Sequence, residues 1–199
     1  MSTAVGTGQP DVRRRLIEEA ARILGEQGPS ALSARRLAAT AGTSTMAVYT
    51  HFGGMSALVD EVATEGFRRL VALVDAVGTT DDTLADLRRM AGAYRENALA
   101  NPHLYAVMFG AISLRGLGGS GPDREVSGAA FQQLVAGVSR AMAAGVLRED
   151  DPAAVAAQFW SALHGYVMLE LAGLDQVVED PTHAVLWTML ANLLSALGG

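Results

Sequence analysis

The sequence predicts an all-α fold of about nine helices, a three-helix head followed by a larger helical body. Three observations point there. Half of the residues are hydrophobic, enough to build a buried core. No segment alternates apolar and polar residues as a half-buried strand does, and Ala and Leu outnumber Val and Ile. Apolar side chains recur instead three and four positions apart, with capping residues and glycines between the runs.

The elements follow in order. In PDVRRRLIEEAARILGEQG, Leu16, Ile17, Ala20, Ile23 and Leu24 share one face, and Gly28 stops a first helix over about 11–27. Ser33 caps a second helix, about 33–41, with Leu37 and Ala41 inward and Gly42 at its end. Ser44 or Thr43 caps a very short third helix, about 44–50, which Gly53-Gly54 breaks. A fourth helix covers about 55–77, striped by Leu58, Val62, Phe67, Leu70 and Val74. Two short helices joined through AGTS and braced by a first helix form a helix-turn-helix. Gly42 is free to take the positive φ of the turn, and Ala38 and Val48 stand where the helices cross.

The rest is helical throughout. A fifth helix covers about 81–100, entered through GTTDDT with acids near its positive end. Asn101 caps a sixth, with Pro102 at its first position. SLRGLGGSGPD, residues 113–123, is read as a flexible loop. A seventh helix covers about 124–144; Asp151-Pro152 starts an eighth, about 152–173; Asp180-Pro181 starts a ninth, about 181–197. The expected organisation is a disordered tail over 1–10, the helix-turn-helix domain over 11–54 and the larger helical domain over 55–199.

Charge and composition narrow the function. The net charge is −6, yet residues 1–55 hold six Arg against four acids while the remainder holds nine Arg against 17 acids. Only the N-terminal part is suited to a polyanion. All 15 basic residues are Arg, so every permanent cationic contact is a guanidinium. Cysteine is absent, which removes disulfides, thiolate zinc sites and cysteine nucleophiles and fits a cytoplasmic setting. The start lacks a signal peptide's basic and apolar parts, and no apolar run is long enough to span a membrane. None of His51, His103, His164 and His183 belongs to an HExxH motif, and no P-loop or G-x-S-x-G element is present. His164 and Glu170, six apart, fall on different helix faces. GLGGSGPD follows no strand, so it is read as a linker and not a phosphate loop. No enzyme activity, cofactor or metal is expected.

Residues 12–58, through ALSARRLAATAGTSTMAVYTHFGGMSAL, resemble the DNA-binding domain of the TetR family of bacterial transcriptional repressors. The resemblance implies that the third helix lies in the major groove with its N-terminal residues at base edges. Ser44 and Thr45 would meet polar base atoms, Met46 a thymine methyl, and Tyr49 and His51 flanking phosphates. Ser33 and the amides at its helix start would hold another phosphate. Arg35 is the candidate guanine reader; Arg36 binds either backbone phosphate or an acidic neighbour. Phe52 is read as a core plug. The family commonly carries Lys where this chain has Met55, so one phosphate cation is missing, which shifts weight to Arg13, Arg14 and Arg15.

FWSALHGYVMLELAG, residues 159–173, resembles the C-terminal domain of a TetR subgroup marked by Trp-x-x-x-His-Gly. The resemblance implies a helical ligand-binding and dimerisation domain. Trp160, His164 and Met168 share a helix face, and Tyr94, Tyr105, Met108, Phe109 and Phe131 complete a candidate effector pocket. The same residues also suit ordinary core. Helices eight and nine are apolar enough to serve both the core and a second subunit, and the family implies a homodimer built through them. The implied function is a ligand-responsive repressor of operator DNA, released by a small molecule. A second reading is a helical ligand-binding or scaffold protein with a non-functional DNA head, for which Met55 would be the mark.

Overall fold

The computed structural model describes residues 9–110 and 120–198. Residues 1–8 of the expected tail and 113–119 of the expected loop therefore lie outside the described residues. Among the described residues there are nine α-helices and no strand: α1 Gln9–Gln27, α2 Ala34–Thr40, α3 Thr45–Phe52, α4 Met55–Val77, α5 Thr83–Ala100, α6 Pro102–Phe109, α7 Arg124–Ala143, α8 Pro152–Leu171 and α9 Thr188–Leu197. A 3-10 turn, Pro29–Ala31, links α1 to α2.

The ends are set by short side chains and glycine. Ser33 accepts from Arg36 N at 3.3 Å and Ser44 from Ala47 N at 3.2 Å, so both act as caps. Asp82, Asp123, Asp151 and Asp180 accept amides at the starts of their helices. Asn101 was expected to cap α6, but its side chain makes no capping bond; Pro102 makes the start. Gly42, at φ 63°, closes α2 with Thr43 N to Ala38 O and Gly42 N to Ala39 O, the paired bonds of a Schellman motif.

The last helix departs from the expected 181–197 span. Thr182–Trp187 is wound as a π-helix before α9 begins. The Thr188 hydroxyl donates to His183 O, five residues back, at 2.9 Å. Apolar spacing does not mark a change from i−4 to i−5 bonding.

The chain forms two compact units. The first takes residues 1–68 and 101–127, the second 69–100 and 128–199, so the divisions fall inside α4 and inside α7. The first unit centres on one apolar cluster. Leu16, Ile17, Ala20, Ile23 and Leu24 of α1 meet Leu37 and Ala38 of α2, Val48 of α3, Leu58, Val59, Val62 and Ala63 of α4, and Leu104 and Val107 of α6. Helix α6 lies close along α1: a Cβ on Gly25 would meet His103 at 2.6 Å. Asp60 of α4 accepts the backbone amides of Ser120 and Gly121 at 2.8 and 2.9 Å, which ties down the end of the expected loop.

The second unit is joined by charge as well as packing. Buried Asp86 on α5 accepts from Thr80 and pairs with Arg89 and with Arg140 of α7. The Thr80 backbone amide, against a desolvation that opposes it, and then the Thr80 hydroxyl and the arginines hold this carboxyl down at about 2. Arg95 of α5 reaches Glu170 of α8 and, at 3.3 Å, the Thr182 hydroxyl. The guanidinium of Arg88 lies 5.1 Å from the Trp187 ring centroid.

Candidate nucleic-acid interface

Helix α3 has eight residues, too few to be stable alone. Its caps and the fully buried Val48 anchor it to the head. Phe52, one turn on from Val48, packs against the same core, as expected of a plug. The opposite face is left outward. Ser44, Thr45, Met46 and Tyr49 are all exposed, Met46 at 71% and Tyr49 at 51%. Large side chains this open on a tightly anchored helix contribute little to the core, so they are available to a partner. His51 is only half-buried, with its ring centroid 6.1 Å from that of Phe52.

Ser33, Arg35 and Arg36 gather at the start of α2 and are exposed. The Arg36 guanidinium donates to Gln27 Oε1, so its neighbour is an amide and not an acid. Arg13, expected to lean toward phosphate, has partners within the head. Its Nη2 lies 2.5 Å from Glu61 Oε1, and its guanidinium carbon is 5.6 Å from the Phe52 centroid. Met55 packs against the head core, which explains how an apolar residue is tolerated at the start of α4.

The expected effector residues separate into two groups. In the first unit, Tyr105 and Phe109 rings lie 4.8 Å apart, Phe109 meets Phe67 edge-on at 5.6 Å, and buried Met108 fills the space that Gly66 leaves. In the second unit, Tyr94, Phe131, Trp160 and His164 come together. Trp160 Nε1–H donates to the Tyr94 hydroxyl at 3.3 Å, and that hydroxyl lies 3.0 Å from His164 Nδ1. Phe131 and His164 flank the Trp160 ring at 6.0 and 5.8 Å. Burial pushes the His164 imidazole down from its usual value, which favours the neutral ring. Met168, on α8, is 45% exposed.

Residues 16–62 match the bacterial regulatory proteins of the tetR family, and residues 87–193 match the tetracyclin repressor-like C-terminal domain. The chain belongs to the TetR family. It is 28% identical over 185 residues to the uncharacterized HTH-type transcriptional regulator Rv0681 of Mycobacterium tuberculosis, covering 93% of this chain and 81% of that protein. A protein with unknown function from Rhodococcus sp. RHA1 superposes with a TM-score of 0.77 at 27% identity over the whole of both chains. The TetR family transcriptional regulator PfmR from Thermus thermophilus shares the fold, with a TM-score of 0.70 at 24% identity over 91% of this chain and 97% of that one.

The protein is thus a TetR-family transcriptional regulator with a DNA-binding and a ligand-binding domain. Sequence reasoning did not pair Arg13 with Glu61, and it grouped Tyr94 with His164 only as pocket lining, without their hydrogen bond. The members of these two pairs lie 48 and 70 residues apart, beyond any helical spacing rule. Among the described residues, no helix is long and apolar enough to cross a membrane.

Proposed function

We propose that this regulator is a cytoplasmic homodimeric repressor whose operator affinity falls when a small molecule binds its C-terminal domain. The observation that carries the DNA-reading part is the outward row of Thr45, Met46 and Tyr49 on a capped, core-anchored α3. In this reading Arg35 meets a guanine, while Ser33, Tyr49 and His51 hold phosphates. Arg35→Ala should weaken binding and relax base preference, while Tyr49→Ala should weaken selected and unselected duplexes alike. An Arg35→Ala variant with intact affinity and preference would remove Arg35 from the reading set.

The effector would sit against Tyr94, Phe131, Trp160 and His164, with Tyr105, Met108 and Phe109 as further candidates and Met168 at the margin. The cluster is aromatic with three neutral polar tips, the Tyr94 hydroxyl, the Trp160 N–H and the His164 ring, which suits an uncharged, largely apolar molecule. Release would proceed by linkage through α4, which contributes residues to both units. A coupling of about 1–3 kcal/mol would lower operator affinity roughly 5- to 150-fold.

Dimerisation is proposed through α8 and α9. Leu186, Leu190 and Leu197 are buried, while Ala184, Val185, Thr188, Met189, Asn192 and Leu193 line an open groove along one face. On α8, Ser161, Gly165, Met168 and Leu169 are exposed, and Gly165 has open space where a Cβ would stand. Two such faces are suited to a twofold four-helix contact.

A further inference from the structure

We infer that Arg13 is a positioning residue for the recognition helix, bracketing α3 to α1 and α4 instead of contacting DNA. Three helices meet at this one side chain. Arg13 stands on α1, its guanidinium faces the ring of Phe52 at the end of α3, and Nη2 donates to Glu61 of α4. Glu61 is itself held: the same Oε1 accepts from Arg68 Nη1 at 2.7 Å. Burial acts to raise the Glu61 carboxyl, but the hydrogen bonds from Arg68 and Arg13 outweigh it and leave it below the usual carboxylate range. The carboxylate is therefore charged and fixed when Arg13 reaches it. Arg13 is 39% exposed and Glu61 23%, so solvent screens the pair and the bracket acts on the local opening and orientation of α3 more than on global stability.

The planar guanidinium suits this place because it can stack on a ring and donate in its own plane at once. Val48 is the buried residue of α3, and Phe52 is its second apolar anchor. Fixing Phe52 from outside sets the tilt of the helix, and with it the placement of Met46 and Tyr49.

Binding to a duplex selected by the wild-type protein from a random pool separates this role from a phosphate contact. Arg13→Met is expected to weaken binding by about three- to tenfold with an unchanged salt slope, because a cation already paired with Glu61 releases no counterion from DNA. A slope lower by about 0.9 would overturn the inference, as would unchanged affinity. Glu61→Gln gives opposite signs. A bracket predicts weaker binding, whereas tighter binding would mean that Glu61 competes with DNA for Arg13. Amide exchange across Val48–Phe52 provides a readout without DNA. It should quicken in both variants, and exchange equal to the wild type would also overturn the inference.

Discussion

At the residue scale, the head is defined by what each side chain has already committed to. Arg13 is paired with Glu61, Arg36 is engaged with Gln27, and Arg35 is exposed. Met55 is engaged with the core, at the position where the TetR resemblance implies a Lys. Met55→Lys is expected to tighten duplex binding at low salt and steepen the salt slope by about 0.9, since a Lys stem can cover the same apolar surface with its ammonium outward. A salt titration of both proteins checks this. Asp86 supports a second prediction. Its carboxyl lies at about 2 in the fold against an ordinary value of 3.8, so its contribution to stability is fully present above 3.8. That contribution drains away as pH falls toward 2, when the unfolded chain takes up the proton first. Denaturant unfolding of the wild type and Asp86→Asn should show a gap that is constant above about pH 5 and closes toward pH 2.

At the element scale, helix starts and stops were legible because they are local. Ser33, Ser44, Asp151 and the glycines announce themselves within four residues, and α4 spans Met55–Val77 as its stripe predicts. What was not legible depends on distant partners or subtle winding. Asn101 looks like a cap and is not used as one, the π-turn at Thr182–Trp187 carries the same apolar rhythm as an α-helix, and Met168 shares a face with His164 in sequence yet is exposed. Among the candidate site residues, the motif marked the α3 row that the fold leaves exposed, whereas the Tyr94–His164 hydrogen bond joins residues 70 apart. Because α3 is short, its cap carries unusual weight. Ser44→Ala should cost about 1 kcal/mol of stability, measured by denaturant unfolding, and should weaken duplex binding by more than an exposed Ala substitution on α5 does.

At the scale of the whole molecule, the proposal requires two heads acting together. If α8 and α9 form the twofold contact, Met189→Glu places two buried charges near the axis and should give a monomer in sedimentation. Loss of the dimer should lower operator affinity by far more than any single base contact, since each head then binds alone. A dimer of unchanged strength would move the interface elsewhere. The central claim is that the α2–α3 surface reads DNA, and the most direct test is selection of bound duplexes from a random pool followed by a salt titration of the winner. The account predicts one enriched sequence with two half-sites about one DNA turn apart, bound with a steep salt dependence. No enriched sequence, even at low salt, would contradict it.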